Sequence, residues 1–327
     1  MKALECIASL MIALSTASYA DTGADIGGRD TDPDRRNDKL VTVFGSLRPE
    51  AIAVSPEVGD LTRRMDDGYS RIGVRGETRL SDDWLGFYRY ERRVSANDGE
   101  SDGATRGDHN ELRQVHVGVR GAAGTIAIGR HYGLYYDFID DELDRHRSHY
   151  SDAIVFGDLF VSNAILYSSP PSERGTFGVL IELNDADADG NAVDERIELA
   201  GTLKIADISL HAGYVSAPDH DGLFGVALSR NLGPLTVAGV FQQFDHGATD
   251  EQLLSLAVDA DAGQDRTARL AVTRRQDDPD NDELYLIAGV DQRLSPHLLG
   301  FVELYSRAGD RPGTDESALV SGFRFDF

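Results

Sequence analysis

The sequence predicts an all-β fold, an antiparallel transmembrane β-barrel of about 16 strands. From Lys39 to the C-terminus, stretches of roughly 8 to 14 residues rich in Val, Ile, Leu, Phe, Tyr and Thr recur between turn clusters, without a sustained helical period. Tight turns and longer, more acidic loops also alternate along the chain. This alternation is typical of a barrel whose two ends face different compartments, and a soluble β-sandwich has no reason to keep it.

The first residues have the pattern of an export signal. A basic second residue precedes an apolar stretch from Ile7 to Leu14, and small residues end at Ala20. The stretch is too short to span a bilayer, so we predict a cleaved signal peptide over residues 1–20. Residues 21–38 are polar and have no apolar face to bury, which predicts a flexible lead-in.

Composition excludes several classes of function. Acidic residues outnumber basic ones 56 to 32, for a net charge of -24, so nucleic acid is an unlikely partner on electrostatic grounds. The single cysteine, Cys6, lies in the predicted signal peptide, which leaves the mature chain without a thiolate nucleophile. The segment Gly68-Tyr69-Ser70-Arg71 fails the Gly-x-Ser-x-Gly pattern, because an isoleucine follows. We therefore expect no enzyme, no cofactor and no metal.

The predicted barrel spans residues 39–327, and its connections define its two ends. Tight turns begin at Ser81, Gly121, Lys204, Asn231 and Arg293. The longer loops are predicted at 55–68, 96–109, 132–162, 245–250 and 276–281. The strands are predicted at 39–54, 69–80, 85–95, 110–121, 125–131, 163–168, 173–183, 193–204, 207–216, 221–230, 234–244, 251–260, 264–275, 282–293, 297–308 and 315–327.

Alternation within strands suggests what each face meets. In SRIGVRGETRL, Arg71, Arg75 and Arg79 share one parity and apolar residues share the other. The charged face would meet bulk solvent in a soluble sheet or a water-filled lumen in a barrel, and the pattern allows both. At the C-terminus, Phe323, Phe325 and Phe327 alternate with smaller or polar residues. Such an aromatic last strand would be an aggregation-prone edge in a soluble protein, which favours the barrel.

The region between Met65 and Pro170 resembles the general diffusion porins of Gram-negative bacteria. MDDGYSRIGVRGETRL is similar to their second strand, and NELRQVHVGVRGAAGTIAIGRHYGLYYD to their fourth and fifth strands. Residues 132–162 then correspond to the third loop, which in that family folds into the barrel and forms a constriction. The final strand also resembles the family's, whose terminal Phe is linked to recognition by the barrel assembly machinery. The resemblance thus assigns Phe323, Phe325 and Phe327 to an assembly signal.

The resemblance also implies the residues that line the pore. Arg71 and Arg113 match arginines of the family's basic wall, and Tyr136 matches a pore-lining tyrosine. Arg113 shares parity with Val115 and Val117, as if it faced lipid. A charge facing lipid at midplane would cost about 2–4 kcal/mol, so we follow the family placement in the lumen. Arg48, Arg75 and Arg79 complete the predicted basic wall, and the predicted acidic side of the loop comprises Asp140, Asp141, Glu142, Asp144 and Asp152, the last of which is alternatively a loop anchor.

The function implied by the resemblance is passive diffusion of ions and small hydrophilic solutes across the outer membrane. The implied partners are two further copies in a homotrimer, outer-membrane lipid and lipopolysaccharide. The acidic excess predicts a moderate preference for cations. A substrate-specific porin stays an alternative, although no lysine-rich or aromatic path is evident. A secreted calcium-dependent binding module is a further one, suggested by Asp185, Asp187 and Asp189 but weakened by Arg196, where a calcium loop needs Glu.

Overall fold

The computed structural model describes residues 39–95, 112–183, 195–218, 220–245, 250–278 and 281–327. The predicted signal peptide, the lead-in and the acidic stretch at 185–191 lie outside these ranges. No helix in the described part of the chain is long and apolar enough to cross a membrane.

The described residues form a single antiparallel sheet that closes on itself. Its strand segments are β1 (Thr42–Leu47), β2 (Pro49–Pro56), β3 (Thr62–Asp67), β4 (Arg71–Arg79), β5 (Trp84–Arg93), β6 (Leu112–Gly121), β7 (Gly124–Tyr132), β8 (Phe160–Ser168), β9 (Gly175–Glu182), β10 (Arg196–Ile205), β11 (Ile208–Ala217), β12 (His220–Leu232), β13 (Leu235–Asp245), β14 (Asp250–Gly263), β15 (Arg266–Asp278), β16 (Asn281–Ser295), β17 (Leu298–Gly309) and β18 (Glu316–Asp326).

Two pairs of these segments are interrupted single strands. β1 and β2 both pair with β18 in one continuous register, from Ser46 opposite Asp326 to Glu50 opposite Gly322. β3 and β4 pair with β2 and β1 respectively, and the break between them contains Tyr69 in a left-handed conformation with φ of 67°. Each pair counts once, so sixteen strands surround the lumen and the predicted fold class is confirmed.

The prediction of a loop at 55–68 is wrong over much of that range. Thr62–Asp67 continues the second barrel strand as β3, with Asp67 opposite Pro49. Most of β3 is exposed, and its sequence TRRMDD has no apolar alternation because neither face is buried. Period-2 hydrophobicity therefore gave no signal for this strand.

The outer surface carries an apolar belt. Ile128, Leu199 and Leu256 on three separate strands are each about half exposed, as are many other large apolar side chains of the same parity. At the closing seam, the N–H of Gly45 donates to the carbonyl of Phe327 at 2.9 Å, and the reverse bond measures 3.0 Å. Phe323, Phe325 and Phe327 are exposed on the outer face of this seam. A closed wall with an apolar exterior leaves no backbone edge to lipid.

Between β7 and β8, residues 133–159 fold into the barrel; we call them the inward loop. It contains a short helix, α1 (Leu134–Phe138), and two 3₁₀ turns, Asp140–Glu142 and His149–Ile154. Leu134, Tyr135 and Ile139 are fully buried against the barrel wall. The inward-folded constriction loop of the predicted fold is thus present.

The loop has a seat of small residues on the wall. A Cβ atom added at Gly178 would lie 2.8 Å from Leu134, and one at Gly213 would lie 2.9 Å from Tyr135. At Gly225 an added Cβ would overlap the Tyr135 hydroxyl and lie 2.8 Å from Ile139. Glycine at these positions therefore gives α1 the space to pack directly on the strand backbones.

Candidate functional site: the narrowed lumen

A β-bulge explains why Arg113 faces the lumen despite its parity. Gln114 pairs with Glu91, but the next pair along the strands joins Leu112 to Arg92, so Arg113 has no cross-strand partner. The extra residue changes which face each side chain takes. Arg113 therefore lies inside, 4% exposed, while Val115 and Val117 face outward.

Arg113 belongs to a cluster around a buried carboxylate. Its Nε donates to Glu91 at 2.7 Å, and Glu91 is fully buried. Arg89 contacts the same carboxylate at 2.7 Å and Arg71 at 3.7 Å. Three guanidinium groups thus share one negative charge, which leaves a net positive wall. Glu91 also fixes their positions, because its oxygens accept from two of them.

The basic wall extends to the barrel seam. The Arg48 guanidinium lies close enough to those of Arg71, Arg113 and Arg324 for their like charges to repel. Its Nε donates to Ser46 Oγ at 2.9 Å, and Arg324 pairs with Asp326 at 2.9 Å. Arg48, Arg71 and Arg113 are therefore brought together, and Arg324 joins them.

Arg75 and Arg79 do not lie at the same level of the pore. A strand rises about 3.4 Å per residue, which places them about 14 and about 27 Å from Arg71 along β4. The Arg75 guanidinium lies 5.3 Å from the ring centre of Phe44, and that of Arg79 donates to the Asp82 carbonyl in a tight turn. They line the lumen toward its short-turn end instead of the constriction.

Two tyrosines connect the basic wall to the inward loop. Tyr132 accepts from Arg113 at 3.0 Å, and its ring stacks on Tyr136 with centroids 5.9 Å apart. The Tyr136 hydroxyl donates to Asp144. Tyr136 and Asp144 thus sit at the side of the passage where the wall and the loop meet.

The other predicted loop carboxylates have different surroundings. Asp140 is buried and accepts from the Gly157 N–H at 2.7 Å. Glu142 contacts His211 at 3.2 Å and accepts from Ser229 at 3.2 Å, both on the wall. Asp152 accepts from Tyr69, in agreement with the anchoring alternative. These three side chains hold the loop in place.

Asp141 and its neighbour Asp137 are different, because neither carboxylate forms a hydrogen bond or ion pair within the described ranges. Both are half-buried, and they repel each other electrostatically. Burial, with the nearby Asp144 carboxylate, raises the pKa of Asp141 to about 7, and burial raises the pKa of Asp137 as well. Asp141 is therefore the predicted loop carboxylate that no described protein group bonds, and it carries its full negative charge only above about pH 7.

The second half of the inward loop is held by a network of charges, which we call the latch. Arg145 pairs with Asp259 at 3.1 Å and Arg147 with Asp291 at 2.9 Å. Arg269 on the wall contacts both of these aspartates. Glu303 accepts from two loop N–H groups, those of Arg147 at 2.6 Å and Ser148 at 2.9 Å. Arg145, Arg147 and Ser148 thus fasten the second half of the loop to the wall.

Sequence reasoning missed several of these groups. Glu91 has the parity of Arg89 and Arg93, so its lumenal position could have been inferred from alternation on β5. Glu303 lies opposite Gly289 on the neighbouring strand, and no local pattern distinguishes it from other lumen carboxylates.

The described part of the chain has no group of three His, Cys, Asp or Glu residues that could hold a metal ion. His131 and His146 are both buried, and neither belongs to such a group.

One prediction concerns Glu91. Replacing it by Gln should shift ion selectivity toward anions, because Arg71, Arg89 and Arg113 would lose their shared counter-charge while a hydrogen-bond acceptor of the same shape remains. Reversal potentials in a salt gradient measure this shift. Glu316→Gln, a lumen carboxylate on β18 away from the cluster, is the control. Equal reversal potentials for E91Q and the wild type would contradict the prediction.

The closed sixteen-stranded wall, its apolar exterior and the loop inside its lumen define a transmembrane β-barrel of the outer-membrane type. The family model described as Gram-negative porin matches residues 7–310. The chain belongs to the Gram-negative porin family.

Individual relatives agree with this assignment. The chain is 40% identical to outer membrane porin F of Xenorhabdus nematophila over 73 residues, which are 22% of this chain and 19% of that protein. The matched part spans only between 19% and 43% of the length of the curated relatives. Among solved structures, Salmonella typhi OmpF in complex with daunomycin has a TM-score of 0.71 at 16% identity, covering 88% of this chain and 98% of that one. An anion-selective porin from Comamonas acidovorans has a TM-score of 0.70 at 15% identity, covering 88% and 100%.

Proposed function

We propose that the protein is a water-filled outer-membrane channel for passive diffusion of ions and small hydrophilic solutes, with a moderate preference for cations. The observation that carries this proposal is the narrowed lumen, which has Arg48, Arg71 and Arg113 on the wall and the carboxylates of Asp141 and Asp144 on the loop. Opposite charges across a narrow passage orient dipolar solutes and disfavour apolar ones. Selectivity is then by size and charge.

The cation preference comes from the charges that stay uncompensated. At the mouth with the longer loops, Glu57 and Asp60 are exposed, whereas Asp66 and Asp282 are paired with Arg64 and Arg274. Exposed charges act over about 8 Å at physiological ionic strength and about 3 Å at 1 M salt. The mouth therefore enriches cations at low salt, and the basic wall limits this preference. The chain has a TM-score of 0.70 to a porin described as anion-selective, so the fold alone does not determine whether cations or anions are preferred.

A substrate-specific porin is the second candidate. The aromatic rings that meet in the lumen, such as Tyr132, Tyr136 and Phe160, stack on one another near the loop. They form a local cluster and not a path along the channel. Sparse lysine in the sequence also gives no basic path for phosphate.

The test is conductance and reversal potential of single channels in a planar bilayer. The wild type should conduct both ions of a simple salt with a bias toward the cation, and the bias should weaken as salt is raised. Above about pH 7, where its carboxylate is ionised, Asp141→Asn should reduce the bias without loss of any loop contact. Neutralising Asp140, Asp141, Glu142 and Asp144 together should shift it further toward anions and loosen the loop. Asp82→Asn, in a tight turn, is the control. An anion-selective wild type would refute the proposed role of the acidic groups.

We further propose that the protein assembles as a homotrimer among outer-membrane lipid and lipopolysaccharide, and that the barrel assembly machinery recognises Phe323, Phe325 and Phe327. One solved neighbour is described as a trimer form of Vibrio cholerae OmpT, with a TM-score of 0.62 and 16% identity. The exposed row of three phenylalanines at the seam supports recognition from outside.

Deleting Phe327 should lower the amount of folded protein in membranes. The deletion removes an exposed ring and both hydrogen bonds that join the chain end to Gly45. Heat-modifiable migration on gels measures the folded fraction, and Asp310→Ser in an exposed loop is the control. Equal amounts of folded protein would remove the terminal residue from the recognition proposal.

A further inference from the structure

A groove of about 520 Å³ opens on the outer surface of the barrel, where β9, β10 and β11 approach the tight turn between β8 and β9. Gly201 and Ala212 form its floor, since they lie opposite each other on β10 and β11 and carry little or no side chain. Phe177, Leu203 and Leu210 form its sides and are all exposed. The groove is therefore an apolar depression within the outer apolar belt.

One end of the groove carries positive charge. Arg174, in the tight turn, lines the groove, is exposed, and forms no ion pair with any residue that the structure describes. The N–H of Lys204 donates to the Arg174 carbonyl at 2.8 Å, but the Lys204 side chain has the lumen parity of Thr202, so Arg174 supplies the cation of this rim. Glu173 is the adjacent acid, and Asp207 in the next turn is already paired with Arg230 at 2.7 Å.

The turn that carries Arg174 is well ordered by its own hydrogen bonds. Ser172 Oγ donates to the Gly175 carbonyl at 2.8 Å, and Ser169 Oγ accepts from the Phe177 N–H at 3.0 Å. On the outer side, Phe177 packs near Tyr167, with ring centroids 6.0 Å apart. Aromatic side chains at this level are typical of the membrane–water interface.

We propose that this groove binds one anionic phospholipid of the periplasmic leaflet, with an acyl chain over Gly201 and Ala212 and the phosphate at Arg174. Short turns of these barrels face the periplasm, so the cationic rim lies at the headgroup level of that leaflet. The apolar floor opens toward the hydrocarbon. An occupant must therefore be apolar along the groove and negatively charged at its rim, and basic rims of this kind favour anionic headgroups.

Native mass spectrometry of the detergent-extracted protein, after equilibration with equal amounts of phosphatidylglycerol and phosphatidylethanolamine, tests the proposal. The wild type should retain phosphatidylglycerol in preference. Arg174→Gln should reduce that preference about fivefold, the effect of one cation near a membrane surface. Ala212→Leu should lower retention of both lipids, because it fills the floor.

Two controls separate this site from general lipid binding. Arg266→Gln removes an arginine on the outer parity of β15, beside a different tight turn, and Ala288→Leu enlarges an alanine on the outer parity of β16. Both should behave as the wild type. Unchanged preference in R174Q, or an equal loss in R266Q, would overturn the headgroup assignment. Unchanged retention in A212L would overturn the groove itself. Folding of each variant is checked by heat-modifiable migration, and channel conductance is not needed for either result.

Discussion

Replacing Gly225 by Leu should lower single-channel conductance several-fold. A side chain at this position would occupy the space of the Tyr135 hydroxyl and of Ile139, both on the inward loop. The latch at Arg145 and Arg147 holds the second half of the loop, so α1 can move only away from its seat, toward the arginine wall. The passage should narrow, and overpacking should cost about 1–3 kcal/mol of stability.

The matched control for this variant is Gly239→Leu. Gly239 lies on the adjacent strand β13, and an added Cβ there would meet no atom closer than 4.0 Å. It should conduct as the wild type does. A normal conductance for G225L, with a folded barrel, would mean that the seat does not set the position of the loop.

Replacing Glu303 by Ala should have the opposite effect, a larger and noisier conductance. Glu303 is buried and accepts the N–H groups of Arg147 and Ser148. Its removal leaves two donors without an acceptor, at about 1–3 kcal/mol for each. These donors can regain hydrogen bonds if this part of the loop is released into water, and the release widens the passage. Current recordings and cleavage of the loop by an added protease measure the release.

Glu251→Ala provides the comparison for this change. Glu251 is also a lumen carboxylate, and it pairs with Arg275 on the adjacent strand at 2.6 Å. It should leave both the current noise and the protease sensitivity as they are. A quiet, protease-resistant E303A channel would show that the loop is held without the latch.

Strand alternation predicted most of the wall, because period-2 patterns survive wherever the two faces meet different surroundings. It failed at β3, where both faces are polar, and at Arg113, where a bulge shifts the parity. Neither feature has a local sequence signal. Both features are defined by the pairing with the neighbouring strand, which the sequence alone does not give.

The loop seat could not be predicted for a different reason. Leu223 and Ala227 face the lumen and are buried on either side of Gly225, which meets the inward loop, so β12 is apolar on both parities over this stretch. An apolar inner face and an apolar outer face look the same in sequence. The available signal is the presence of apolar residues on both faces of one strand. A strand of a water-filled barrel needs them only where another segment covers its inner face and excludes water.

The seam between Gly45 and Phe327 has a consequence for how the chain folds. The first and last strands of the barrel are joined by Gly45 and Phe327, which are far apart in sequence. Their contact is the one that removes the last two open strand edges. Closing a loop of this length is entropically costly and makes folding slow. Until the final strand is available, each partial sheet presents unpaired backbone that can join another chain. Loss of the last strand should therefore act as an all-or-none defect in barrel formation, with no stable, slightly smaller pore as the product.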